Sequence, residues 1–481
     1  MEKQVNSQPP ILQVENFSLS FLAYKKGLIE TKTEVIKRLD MTIHKGEIVA
    51  VVGASGSGKS LLANAILGIL PEHAICKGTL KFKGEILNKA CQEKLRGKAI
   101  FLIPQSVKSL DPLMKTGKQV RDAIHSKNKK ELQQEIFKNI GLPKETEEKY
   151  PFELSGGMAR RILAATAMVS PAELIVADEP TPGLDPKVLK ETTIQMKKLA
   201  KAGKGIMFIT HDIESALEIA DRVVVFHEGE TIEVADAEAF TGKGEQLNHP
   251  YTKALWNALP GNEFFKGKDN LEIEEDDEKL EVKGISFKYR NQPFLFKNLH
   301  VTVHSGEIVG IHGYSGSGKT TMAQVIAGYL KPDEGDILLN GNKIKRSGKQ
   351  TIQYIWQHPE KAINPRWRMR KVLEESGMEK SPITRELGIK NEWLSRWPSE
   401  LSGGELQRFC IARVLHDETR FLIADEMTTM LDAVTQAKLW EIIVRLVKER
   451  NIGVLAISHD HKLLKRISDR IINFNEISHK K

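Results

Sequence analysis

One set of motifs occurs twice in this chain, in the same order. Gly53-Ala54-Ser55-Gly56-Ser57-Gly58-Lys59-Ser60 returns as Gly313-Tyr314-Ser315-Gly316-Ser317-Gly318-Lys319-Thr320. Leu154-Ser155-Gly156-Gly157 returns as Leu401-Ser402-Gly403-Gly404, Asp178-Glu179 as Asp425-Glu426, and Thr210-His211-Asp212 as Ser458-His459-Asp460. Separate motifs recurring in one order across roughly half the chain mark duplication of a whole domain rather than a solenoid of short units. The two halves also open alike. Leu12 to Phe21 aligns with Leu280 to Tyr289, and the alternation of apolar residues in both predicts half-buried strands. The first half then carries a longer excursion, Leu22 to Ile36.

The expected organisation is a first domain over 1–260, a linker over 261–278 and a second domain over 279–481. The acidic run Glu272 to Glu278 suits a solvated connection. A linker of that length reaches about 60 Å when extended, enough to join adjacent lobes.

Composition narrows the class. Hydrophobic content of 40% and charged content of 28% are those of globular protein. The start lacks the apolar segment of a signal peptide. The longest apolar runs are strand-sized, so no membrane span is expected. The three cysteines, Cys76, Cys91 and Cys410, are far apart, which argues against a disulfide framework or zinc site. The net charge of +8 comes from dispersed lysines and reads as a solvated surface rather than a nucleic-acid stripe.

The repeated Gly-x-x-x-x-Gly-Lys-[Ser/Thr] is a phosphate-binding loop signature. Its glycines let several backbone N–H groups converge on phosphate oxygens, and the following helix points its positive end at the same anion. The candidate phosphate-binding residues are Gly53, Ser55, Gly56, Ser57, Gly58, Lys59 and Ser60, with Gly313, Ser315, Gly316, Ser317, Gly318, Lys319 and Thr320. Lys59 and Lys319 are expected at the β- and γ-phosphates, and the Ser60 and Thr320 hydroxyls at Mg²⁺. Each loop follows an apolar run, Ile48 to Val52 and Ile308 to Ile311, and precedes a helical pattern, Leu61 to Leu70 and Thr321 to Leu330.

Leu174 to Glu179 and Phe421 to Glu426 read as buried parallel strands ending in two carboxylates. The first of each pair, Asp178 or Asp425, is expected to hold Mg²⁺ through water. The second, Glu179 or Glu426, is placed to act as general base on the attacking water. His211 and His459 each follow a strand-like run and are read as γ-phosphate contacts. Gln105 and Gln357 each close a strand-like segment, Ala99 to Pro104 and Thr351 to Trp356.

With these motifs in order, the chain resembles an ABC ATPase over nearly its whole length. Leu154-Ser-Gly-Gly-Met158 and Leu401-Ser-Gly-Gly-Glu405 are similar to the signature loop of that family. The resemblance implies α/β architecture, with two tandem P-loop domains. Each has a RecA-like core, an antiparallel β subdomain and a helical signature subdomain. It also implies a head-to-tail sandwich of the halves around two ATP molecules, with Ser155, Gly156, Gly157, Ser402, Gly403 and Gly404 facing γ-phosphates. Gln105 and Gln357 resemble Q-loop residues that touch Mg²⁺ and the attacking water. Asp185 and Asp432 resemble D-loop residues. Tyr289 resembles the aromatic that stacks on adenine; Phe21 aligns with it in the first half, and Tyr24 is the competing candidate. Glutamate and histidine stand in both halves, so two hydrolytic sites are expected.

A narrower resemblance is to the oligopeptide, dipeptide and nickel importer ATPases. It rests on His249-Pro-Tyr-Thr-Lys-Ala-Leu-Trp-Asn-Ala-Leu-Pro260, and on Ser109-Leu-Asp-Pro-Leu-Met114 and Ala362-Ile-Asn-Pro-Arg-Trp367 after the two Q-loops. It implies two transmembrane permease subunits as partners, an extracytoplasmic solute-binding protein beyond them, and a peripheral position on the cytoplasmic face of the membrane. The first signature departs from the group at Ala159-Arg160-Arg161, the second half lacks the His-Pro-Tyr tail, and no cysteine lies directly after that tail, where some members hold an iron–sulfur cluster, so no cluster is expected. A soluble tandem ABC protein acting on ribosomes or nucleic acid is the alternative from another class, and the short acidic linker weighs against it. A fused sugar or vitamin importer ATPase is the alternative within transport.

Overall fold

The structure is a computed structural model. It describes residues 9–25, 29–54, 56–180, 186–262, 264, 278–314, 316–344, 351–429 and 431–478. Ser55, Ser315, Asp185 and most of the expected 261–278 linker lie outside them. The chain divides into two compact units, Met1–Trp256 and Asn257–Lys481.

In the first unit the strands are β1 (Leu12–Lys25), β2 (Ile29–Ile43), β3 (Ile48–Gly53), β4 (Ala74–Phe82), β5 (Glu85–Ile86), β6 (Ile100–Ile103), β7 (Leu174–Asp178), β8 (Gly205–Thr210), β9 (Arg222–His227) and β10 (Glu230–Asp236). They form one sheet in the order β5-β4-β1-β2-β10-β9-β3-β8-β7-β6. Strands β9, β3, β8, β7 and β6 run parallel, and β1, β2, β4 and β5 are antiparallel. The excursion after Phe21 extends the β1–β2 hairpin, whose pairing continues to Lys25 opposite Ile29.

In the second unit the strands are β11 (Lys279–Lys288), β12 (Phe294–His304), β13 (Ile308–His312), β14 (Glu334–Leu339), β15 (Asn342–Lys343), β16 (Ile352–Ile355), β17 (Phe421–Asp425), β18 (Gly453–Ser458) and β19 (Arg470–Asn473). Here the antiparallel sheet β12-β11-β14-β15 is separate from the parallel sheet β16-β17-β18-β13-β19. The parallel order is that of the first unit, so the duplication reaches the topology. The strand that joins the antiparallel and parallel parts of the sheet in the first unit, β10, has no counterpart among the described residues of the second. There a short helix, Phe474–Ser478, follows β19 instead and buries Phe474 against Phe296.

The core strands are apolar up to their carboxyl ends because helices cover both faces of a parallel sheet. Every residue of β3, β7, β8, β17 and β18 is buried. Each large aliphatic side chain removed from water there contributes about 1.5–3 kcal/mol. The helices that matter for the site are α1 (Lys59–Leu67), α2 (Gly156–Val169), α3 (Pro250–Asn257), α4 (Lys319–Ile326), α5 (Gly403–Val414) and α6 (Ala433–Arg450). Helix α1 ends three residues before the expected Leu70. Gly68 adopts φ 65° and closes the helix, its N–H donating to the Ala65 carbonyl at 3.2 Å. Among the described residues no helix is long and apolar enough to cross a membrane.

The same polar rivets recur in both units. Arg222 Nε donates to Glu47 at 2.5 Å, and Arg470 Nε donates to Glu307 at 2.6 Å. Asp221 accepts from the Ile48 N–H, and Asp469 accepts from the Ile308 N–H, each at 2.8 Å. Both ties hold the phosphate-loop strand against the strand beside it, β9 in the first unit and β19 in the second.

Candidate functional site

In each unit the phosphate loop leaves the central strand and enters a helix, β3 into α1 and β13 into α4. Gly58 and Gly318 sit at φ 101° and 105°, where a side chain is strained. A Cβ there meets Ile36 at 3.0 Å or Leu295 at 2.9 Å, so the loop also lacks room for one. Lys59 Nζ is buried and donates to the carbonyls of Gly53 and Ala54 at 2.8 and 2.7 Å. Lys319 Nζ donates to those of Gly313 and Tyr314, both at 2.7 Å. The loops thus fold back around their own lysine in the same way.

The strand-end carboxylates stand beside these loops. Ser60 Oγ donates to Asp178 Oδ1 at 3.0 Å. Burial, the largest influence, raises the Asp178 and Asp425 pKa values above the ordinary carboxylate range, although hydroxyl donors oppose it. Glu179 and Glu426 both sit at φ 45°, a sparsely populated conformation for a residue with a side chain. Their N–H groups donate to the carbonyls of Ile209 and Ile457, at 2.9 and 3.0 Å, on the neighbouring strand.

Three motifs far apart in sequence meet at each glutamate. Gln105 Nε2 donates to Glu179 Oε2 at 2.7 Å, and His211 Nδ1 lies 3.0 Å from Oε1. Gln357 Nε2 donates to Glu426 Oε2 at 2.6 Å, and His459 Nδ1 lies 3.3 Å from Oε1. Burial works to raise the Glu179 pKa, but the histidine bond and charge outweigh it and hold the carboxyl below its ordinary range. Glu426 follows the same balance. Burial opposes the charge on His211, yet Glu179 raises its pKa on balance. For His459 the bond to Glu426 is the largest influence and also raises it. Each glutamate is therefore held ionised between an amide and an imidazole.

The signature loops open helices. Ser155 caps α2 by accepting from the Met158 N–H at 3.3 Å, with Gly156 and Gly157 in the first turn. Ser402 caps α5, and Glu405 returns a bond to the Ser402 N–H at 2.8 Å, closing a capping box over Gly403 and Gly404. Met158 cannot do this in the first unit. Arg160 lines a small cleft, open to solvent, with Gln105 and Glu179. Its second-unit counterpart, Gln407, donates to the Trp356 carbonyl at 3.3 Å.

The remaining candidates fall elsewhere. Tyr289 is exposed, and its hydroxyl lies 3.1 Å from that of Thr321 on α4. Phe21 is half-buried and meets His73 at 5.5 Å between centroids. Asp432 is buried as the cap of α6, accepting from the Thr435 N–H at 3.1 Å and hydroxyl at 2.8 Å. Sequence reasoning missed Tyr354, whose hydroxyl donates to Asp425 Oδ2 at 2.8 Å. Its only sequence signal is a polar handle on an inward-facing position of a short, mostly apolar strand.

Comparison with known proteins matches these features. The family model described as ABC transporter matches residues 36–182 and 296–429. The uncharacterized ABC transporter ATP-binding protein YejF of Escherichia coli K12 is 29% identical, over 96% of this chain and 93% of its own length. The glutathione import ATP-binding protein GsiA of Escherichia coli K12 is 28% identical, over 96% and 84%. Among solved structures, the archaeal ribosome recycling factor aABCE1, in complex with the ribosomal stalk protein aP1, has a TM-score of 0.62. Its identity is 22%, with 94% of this chain and 87% of that one covered, and this likeness concerns the fold. The duplicated phosphate loop, signature helix and strand-end carboxylate pair thus lie on a matching tandem framework, and the chain belongs to the ABC transporter family as an ATPase with both ATP-binding units in one polypeptide.

Proposed function

We propose that this chain is the ATP-hydrolysing subunit of a solute importer for peptide-like molecules or metal complexes such as nickel chelates. The observation that carries the catalytic part is the glutamate held between glutamine and histidine at both sites. In this reading Lys59 and Lys319 exchange their loop carbonyls for the β- and γ-phosphates. Glu179 and Glu426, already ionised, accept the proton of the attacking water, while Gln105, Gln357, His211 and His459 orient it and the γ-phosphate. The signature serines and glycines offer helix-opening N–H groups to phosphate. Tyr289 stacks on adenine.

The donors present fit Mg²⁺. Asp425 Oδ1 is buried with no hydrogen-bond partner among the described residues, which suits a ligand-facing oxygen. A hydroxyl, one carboxylate and substrate phosphates are the oxygen set this ion takes in nucleotide sites. Ser60, Asp178 and Gln105 would hold it in the first unit, and Thr320, Asp425 and Gln357 in the second. When bound there it neutralises phosphate charge.

The importer part is supported by the likeness to GsiA, a glutathione import protein by name, and by the His-Pro-Tyr segment. In this reading the chain works at the cytoplasmic membrane face with two permease subunits, fed by a solute-binding protein. Replacing Glu179 and Glu426 together by Gln is expected to leave ATP bound and cut turnover by at least about a hundredfold. Retention of most turnover overturns their role as bases. Purification from membranes is expected to bring two permease subunits along, and recovery on ribosomes instead sinks the importer reading.

A further inference from the structure

The two metal carboxylates are supported differently. Tyr354, on β16, is 5% exposed, and its hydroxyl donates to Asp425 Oδ2 at 2.8 Å. The Gln324 side chain, on the phosphate-loop helix α4, is near enough to bear on the same phenol. The ring is held by Trp356 and Tyr329, with centroids 4.9 and 5.7 Å away. One oxygen of Asp425 is thereby fixed while the other, Oδ1, is left without a partner among the described residues.

The first unit lacks this device. Tyr354 pairs with Ile423, two residues before Asp425, and Leu102 pairs with Val176, two residues before Asp178. Leu102 thus occupies the mirrored place and carries no donor. Asn64 stands where the second unit has Gln324. Asp178 leans on Ser60 Oγ, itself a proposed metal ligand, and Thr320 bears on Asp425 in the same way, so the phenol is what the second unit adds. A carboxylate also oriented by a neutral donor that is not a ligand loses less freedom on taking a cation than one bonded to its fellow ligand alone.

We propose that Tyr354 is a positioning residue for Asp425 and gives the second site the higher divalent-cation affinity, an inference that rests on reading Asp178 and Asp425 as the metal carboxylates. Tyr354→Phe keeps the ring and removes only the hydroxyl.

The test is electron paramagnetic resonance of Mn²⁺ titrated into the full-length protein saturated with a non-hydrolysable ATP analogue. Two classes of bound Mn²⁺ are expected. Y354F weakens the tighter class about tenfold and leaves the other unchanged. L102Y, which adds a phenol at the mirrored place, tightens the weaker class. Unchanged affinities in folded Y354F, or an equal loss in both classes, overturn the proposal. If Y354F does not fold, L102Y decides, and an unmoved weaker class overturns it. Absence of nucleotide-dependent Mn²⁺ uptake by the parent protein defeats the metal reading of Asp178 and Asp425 itself.

Discussion

At the scale of single residues, the histidine–glutamate pairs have a pH signature. The folded-state pKa of His211 is raised above 6.5, so its contribution is full below 6.5 and is lost as pH rises through the elevated value. That of Glu179 is lowered below 4.5, so its contribution is full above 4.5 and is lost as pH falls through the lowered value. Both act between those limits. His211→Gln is expected to cost about 1–2 kcal/mol near pH 5.5 and clearly less near pH 9, measured by urea unfolding without nucleotide. The His459 side chain is 51% exposed against 13% for His211, and its contact is longer. His459→Gln is therefore expected to cost less than half as much, because solvent screens the pair. An equal cost at both pH values would show that the imidazole acts by packing alone.

At the scale of elements, the ties between strands carry more weight than the surface ion pairs. Glu307 is 1% exposed and accepts from Arg470 and from the His304 N–H. Arg470→Ala strands that carboxylate and is expected to destabilise the second unit by about 3 kcal/mol in denaturant unfolding, the low end for a broken buried pair because the arginine is partly exposed. The His-Pro-Tyr segment has a local structural use as well. Glu233 on β10 accepts from the Asn248 and His249 N–H groups at 2.7 and 3.0 Å, anchoring the entry to α3, and Tyr251 stacks on His227 at 3.6 Å. Glu233→Ala is expected to cost about 1 kcal/mol locally, seen as faster amide exchange over residues 248–255 with the parallel strands unchanged. Protection that stays the same there would remove this role from Glu233.

At the scale of the whole molecule, each unit owns a core. One is built around Leu12, Ile36, Val51 and Phe226, the other around Leu280, Phe296, Ile311 and Phe474. Fragments 1–256 and 257–481 are each expected to unfold in one cooperative transition by calorimetry. A fragment without such a transition would mean that its core needs the other unit. The second fragment must keep residues 257–262, because Arg466 donates to the Pro260 and Asn262 carbonyls.

What was legible in the sequence is what depends on neighbours along the chain. The phosphate loops, the signature caps and the buried strands are set by glycine placement, a serine before a helix and unbroken apolar runs, and all are local signals. The duplication made them readable twice, and the order of motifs carried the family resemblance. Side-chain meetings across strands were not legible. Glu179 meets Gln105 and His211, and Asp425 meets Tyr354 71 residues earlier, only because parallel strands from distant segments lie side by side in one register. From local signals alone came two phosphate-binding α/β units and their chemistry class. Only the tertiary structure decided which carboxylate each donor serves and that Asp178 and Asp425 have different donors, since strand order and register follow from long-range packing that no local pattern encodes.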